Sequence, residues 1–261
     1  MYSKLEMRLI GNLEISNQMA STFHGALMEM LPEDYAEELH ESKLHPYTQH
    51  LEHRTDGWYW IVTALNERAS SILLKDALLR IDGIDLKKHE TYLSVDQRKY
   101  QELSEVELAK AFYGEEGGKF ISIRFMTPTA FKRNGQYLNY PDIRSIYSNL
   151  MNKYEASSDQ DSMRDEDTLE QLVQNTVVAR YRLHSTVFCL EGVRIPAFAG
   201  EMTLRIGGNR TMCNFARMLF RFGEYSGIGI KTSLGMGAIE LIQDNKELTK
   251  NGRQTNQADH R

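Results

Sequence analysis

Thr176-Val-Val-Ala-Arg-Tyr-Arg-Leu-His-Ser-Thr-Val-Phe-Cys-Leu190 and Arg194-Ile-Pro-Ala-Phe-Ala-Gly-Glu-Met-Thr-Leu-Arg-Ile206 are two long alternating runs joined at Glu191-Gly192. Alternating apolar and polar residues mark strands buried on one face, and a glycine-containing break between two such runs reads as a hairpin. Helical spacing flanks the pair. Thr168–Asn175 and Pro141–Tyr154 precede it, the latter with Pro141 in its first turn, where a missing N–H is tolerated. Asn209–Gly223 follows as a helix and Ala238–Ile242 as a last strand, while Phe120–Met126 opens the half as its first strand. The polar run Ser157–Asp167 reads as a loop.

The first half repeats that order. Lys4–Ile15 reads as a strand, Asn17–Leu31 as a helix stopped by Pro32, and Glu33–Glu41 as a short acidic helix. Tyr47–His53 and Trp58–Ala64 form a hairpin turning at Gly57. Asn66 caps a helix to about Arg80, Ile81–Val95 is a further strand bent at Gly83, and Glu102–Phe112 is helical. Each half therefore reads β-α-β-β-α-β, the ferredoxin-like order. The expected architecture is α+β: two tandem ferredoxin-like (βαββαβ) domains with antiparallel sheets and a C-terminal glycine-rich loop. Residues 1–116 form the first domain and 119–244 the second, with a polar, disordered tail over 245–261.

No run approaches the ~20 apolar residues a membrane helix needs, and residues 1–11 lack a signal-peptide core, so the expected location is cytoplasmic. The two cysteines, Cys189 and Cys213, argue against a disulfide framework and read as small buried hydrophobes. The net charge of −5 is unevenly spread. Residues 155–170 carry a net of −6, residues 119–154 a net of +5 and residues 177–244 a net of +3. A phosphate backbone responds to local basic surface rather than to the total.

Gly223-Glu-Tyr-Ser-Gly227-Ile-Gly229-Ile-Lys-Thr-Ser-Leu-Gly235-Met-Gly237 places five glycines in 15 residues. Successive N–H groups of such a loop can hold an anion, with Gly227, Gly229, Lys231, Thr232 and Ser233 as the candidate donors. It is not a Walker A loop, because Ile230 precedes Lys231, and it follows a helix, unlike a dinucleotide fingerprint.

This glycine-rich core is similar to the C-terminal loop of the RAMP superfamily, and within it to the CRISPR-associated endoribonucleases that process precursor CRISPR RNA. Leu39-His40-Glu41 followed by Pro46-Tyr47-Thr48 resembles that family's active-site helix end and next strand. Phe125-Met-Thr-Pro-Thr-Ala-Phe131 and Ala197-Phe-Ala-Gly200 are also similar. The resemblance covers nearly the whole chain, to about residue 243. It implies a metal-independent endoribonuclease that cuts CRISPR repeat RNA within precursor transcripts, needing no cofactor and working as a monomer or homodimer, with effector-complex subunits as further partners. The alternatives are a non-cleaving subunit that binds guide RNA and a metal-dependent hydrolase.

His40, His45, His50 and His53 lie within 14 residues, with His24 upstream. Histidine exchanges protons near neutrality, its unperturbed pKa being ~6.5. Cutting RNA without metal needs a base for the 2′-hydroxyl, an acid for the leaving 5′-oxygen and a cation for the transition state. His40 and His45 can divide the first two roles, and Lys43 can supply the third. The H-x4-H-x4-H-x2-H spacing matches no standard zinc pattern, so no metal site is expected, and His50 and His53 read as surface residues. The resemblance makes His40 the catalytic histidine. It also implies a first-helix tyrosine, but that stretch shows Met28, leaving Tyr35, Tyr47 or Lys43 to substitute. For RNA binding, Arg180, Arg182, Arg194 and Arg205 on the hairpin and Lys132 and Arg133 on a second turn can reach phosphates. Tyr137, Tyr140 or Phe131 can stack a base, and the acidic 155–170 segment should face away from RNA.

Overall fold

The computed structural model describes residues 1–42, 44–113, 118–157 and 165–242. Lys43, the tail over 245–261 and most of the acidic loop lie outside the described residues, as does the 114–117 linker.

The first half is built on β1 (Tyr2–Ile10), which pairs antiparallel with β3 (Gly57–Ala64) on one side and β5 (Thr91–Leu103) on the other. With β2 (Tyr47–Arg54) and β4 (Gly83–Leu86) the sheet order is β2-β3-β1-β5-β4. Without the edge strand β4, this is the ferredoxin-like order. Its helices are α1 (Ala20–Glu29), α2 (Glu33–Glu41) and α3 (Glu67–Ala69), the last continuing as a π-helix over Ser70–Leu78. Asn66 caps α3 as expected, its Oδ1 accepting the Ala69 N–H at 2.8 Å. Leu5, Met7, Trp60, Val62 and Leu93 face these helices in one core.

The second half repeats the order in β6 (Phe120–Thr129), β9 (Thr176–Leu190), β10 (Val193–Ile206) and β11 (Ile239–Ile242), arranged β11-β6-β10-β9. A small hairpin, β7 (Phe131–Arg133) and β8 (Gln136–Leu138), sits between β6 and α5 (Ile143–Ser157). α6 (Glu166–Asn175) and α7 (Arg210–Ser226) complete it, the latter capped by Asn209. α4 (Glu105–Tyr113) packs along α7, so Leu108 belongs to the second core, as does Tyr2, whose ring meets Phe222 edge-on at 5.2 Å.

Four expectations need correction. The first strand stops at Ile10, before the polar bend at Gly11. The single strand over Ile81–Val95 is two antiparallel strands, because Lys87-Lys88-His89 turns and Glu90 takes a left-handed φ of 49°. β5 then runs on to Leu103, and α4 starts only after Ser104. Ser104 and Glu107 cap each other there: Ser104 Oγ accepts the Glu107 N–H at 3.1 Å and the Glu107 carboxylate accepts the Ser104 N–H at 3.0 Å. Of the cysteines, Cys213 is buried but Cys189, near the hairpin tip, is exposed.

Candidate active site

The glycine-rich segment joins the two halves. Gln49 on β2 is fully fixed: its amide donates to the Ala20 carbonyl at 2.8 Å and to the Ser233 carbonyl at 3.0 Å, and its oxygen accepts the Trp60 indole N–H at 2.9 Å. Gly235 sits so close to Ala20 that a side chain would collide with that methyl group. At Gly229, whose φ is 89°, a Cβ would run into the Ala130 carbonyl oxygen.

The expected anion nest is corrected by this packing. Gly227 and Gly229 are buried, and their N–H groups already donate to the Gly223 carbonyl and, at 2.8 Å, to Asn149 Oδ1. These glycines shape the loop and offer no free N–H to phosphate. Thr232 accepts a hydrogen bond from Lys153 at 3.2 Å, and Ser233 is buried at the groove floor. Lys231, left-handed at φ 58°, is exposed.

Lys231 projects onto a groove of about 860 Å³ between α1, α2 and the loop. His24, His40 and His45 line it with Met28, and Glu191 reaches it from the hairpin tip. His40 is exposed in the last turn of α2, because Tyr35 and Leu39 turn the opposite face into the core. His45 is half-buried, with Nδ1 lacking a hydrogen-bond partner. Burial, then Lys231, then His40 push the His45 pKa down, against a weaker pull from the Leu39 backbone. His24 is held down to about 4 by burial and by the other two histidines. Its Nδ1 shares a 3.0 Å hydrogen bond with the Tyr47 hydroxyl. Glu33, Glu37 and Glu41 form an acidic wall on the α2 side, so a phosphate finds its complement on the Lys231 side.

Other candidates fall elsewhere. Tyr47 is 0% exposed and Tyr35 packs beneath Arg68, so neither hydroxyl lines the groove. His53 lies against Trp58 at 5.0 Å. His50 is only partly exposed, and burial, Lys4 and Arg54 depress its pKa to about 3. By the register of β9 with β10, Arg180, Arg182 and Arg205 share one sheet face, whereas Arg194 projects from the other face near the hairpin tip. Lys132 lies over the Tyr137 ring at 5.6 Å, and Arg133 reaches Asp142 at 3.6 Å. From the acidic segment, Glu166 and Glu170 bind Arg144 and remove it from the basic surface. Phe131 is buried and unavailable for stacking.

Two residues of this region were not singled out for it in the sequence. His24 was noted without a role, and only the fold brings it to His45. Lys153 is the other. It is 7% exposed and donates to the Ser226 carbonyl at 2.8 Å, the Gly227 carbonyl at 3.1 Å and Thr232 Oγ1, with burial lowering its pKa to about 7. A sequence signal existed: Lys153 continues the helical stripe of Ile146 and Leu150, an apolar position. Among the described residues, no three His, Cys, Asp or Glu side chains are grouped to share a metal ion, and no helix is long and apolar enough to cross a membrane.

The family model described as CRISPR-associated endoribonuclease Cas6 matches residues 123–239. A CRISPR-associated endoribonuclease Cas6 of Streptococcus thermophilus is 37% identical over 226 residues, covering 87% of this chain and 92% of the relative. The Mycobacterium tuberculosis protein of the same description is 33% identical over 222 residues, covering 84% and 70%. Among solved structures, a Cas6 product complex superposes with a TM-score of 0.76 at 22% identity, covering 93% of this chain and 99% of that one. Thermus thermophilus Cas6 superposes at 0.68 and 21% identity, again over 93% of this chain and 98% of that one. At those identities the superpositions speak to the fold, while the sequence relatives carry the assignment: this chain belongs to the CRISPR-associated endoribonuclease Cas6 family.

Proposed function

We propose that this protein cuts CRISPR repeat RNA within precursor transcripts, and that the groove between α1, α2 and the glycine-rich loop is where it cuts. One observation carries this reading: three separate stretches deliver His24, the pair His40 and His45, and Lys231 to one groove. His45, kept neutral by burial and by Lys231, takes the proton of the 2′-hydroxyl. The 2′-oxygen attacks the adjacent phosphorus, and the bond from phosphorus to the 5′-oxygen breaks. His40, at the open rim, gives that oxygen a proton. Lys231 complements the charge that builds on the phosphate, the role first considered for Lys43. His24, tied to Tyr47, holds the wall beside His45. The products are a 2′,3′-cyclic phosphate and a 5′-hydroxyl, and proton count balances without a cofactor.

The arginines of the hairpin and the Lys132–Arg133 turn hold the RNA backbone, fixing its register without reading its sequence. The test is end-group analysis of products made from repeat RNA in EDTA. Cyclic phosphate ends, and no cleavage when the nucleotide before the cut is 2′-deoxy, are expected. A 3′-hydroxyl end, or cleavage of the deoxy substrate, contradicts the mechanism.

A further inference from the structure

β9 leaves the second core before it ends its pairing. Its register alternates Tyr181, Leu183 and Ser185 onto the face shared with Phe198, and a bulge opposite Thr203 and Leu204 brings Val178 to the same face. Leu183 is half-buried and Phe198 buried, but Tyr181 is 71% exposed. Opposite it, the segment between β8 and α5 sets Tyr140, 49% exposed, and Pro141 along the other wall. Between them lies a hollow of about 390 Å³, floored by Phe198. Polar groups sit at its margin in Asn139, Ser185 and His184. One cation lies beside it, Arg133, which reaches Asp142 next to Pro141; Arg180 and Arg182 flank Tyr181 in β9 but project from the opposite sheet face.

We propose that this hollow takes an unpaired nucleobase of the bound RNA, stacked between Tyr181 and Tyr140, and so contributes to choice of substrate. The proposal rests on the RNA-cleaving reading above and adds a second site to it, away from the histidine groove. The chemistry favours a nucleotide over an apolar partner. Two flat rings face an apolar floor that a base's faces can cover. Asn139 and Ser185 offer both donors and acceptors to a base edge. The Arg133 guanidinium, held by Asp142 beside the Pro141 wall, can meet a phosphate next to a flipped base. An aliphatic partner would use none of these polar or charged groups.

The experiment is an abasic scan. Repeat RNAs carrying one abasic nucleotide at each position in turn are bound to the full chain and to Tyr181→Ala and Tyr181→Phe. With wild type, one position is expected to lose between about 5- and 150-fold in affinity, the range for one stacked base. In Tyr181→Ala that position's sensitivity should vanish while other positions keep theirs, and Tyr181→Phe, which retains the ring, should restore it. An abasic profile that is the same in wild type and Tyr181→Ala overturns the proposal and leaves the cleavage reading standing. Failure of wild type to bind any repeat RNA overturns both. Sedimentation of the free chains supplies the other arm. A wild-type dimer that becomes a monomer in Tyr181→Ala with unchanged RNA affinity assigns the face to a second copy of this chain, and also overturns the proposal. Tyr181 is exposed, so its removal leaves the core intact, and circular dichroism checks that.

Discussion

Lys231 shapes the site through charge as well as position. Its ammonium is one reason the His45 pKa lies below its ordinary 6.5. A base that must be neutral loses activity as pH falls through its pKa, so the acid limb of cleavage should lie below that value. Replacing Lys231 with Met removes the charge, lets the His45 pKa rise, and should move the acid limb upward in a pH–rate profile while lowering the rate at pH 7. An unmoved limb contradicts the coupling. Lys153 makes a different prediction. Its folded pKa of about 7 lies below the ordinary 10.5, so between those values the unfolded chain holds a proton the folded chain has released. Stability contributed through this group therefore rises as pH rises across that window, and below it burial of the charge costs most. Urea unfolding of wild type and Lys153→Met at pH 6 and pH 9 should show the wild type gaining on the variant at pH 9. This grouping was only half legible in the sequence. The histidine spacing and the Leu-His-Glu segment pointed to His40 and His45, because adjacent residues carry that information. The partnership of His45 with Lys231 and His24 joins positions far apart in the chain, and no local pattern encodes it.

At the scale of elements, the glycine-rich loop is a structural clasp that presents Lys231 at its exposed edge. Its glycines were legible as a feature, yet the sequence suggested free N–H groups, and the structure pairs them with Asn149, Ala130 and the loop's own carbonyls. Composition reports backbone freedom, and the partners of each N–H depend on what the fold brings beside it. Gln49 is the element's anchor on the first half. Gln49→Leu would leave the Trp60 indole N–H and the Ala20 and Ser233 carbonyls without their partner, costing about 1–3 kcal/mol for such buried groups. Urea unfolding should register that loss, and the cleavage rate should drop more than RNA affinity because Lys231 is carried on the loop. The capping signals behave more simply. Asn66 was legible and its cap is present, while the Ser104–Glu107 box was overlooked and shifts the start of α4. Asn66→Ala should cost about 1 kcal/mol in the same assay.

Over the whole molecule, the α+β duplication was legible because each half alternates and turns at the right spacing. Where the sequence misled, a polar turn was hidden inside an apparent strand, as at Lys87–Glu90. The way the halves share a core was out of reach: Tyr2 and Leu108 pack with the second half through contacts of long sequence separation. That sharing places the histidines of one half against the lysine of the other and so forms the groove. The most direct measurement is single-turnover cleavage of a synthetic repeat RNA in EDTA by wild type and His40→Ala, with binding measured alongside. Cleavage at one site by wild type, and binding without cleavage by His40→Ala, is the predicted result. Equal cleavage by both proteins would contradict it and move the active site elsewhere.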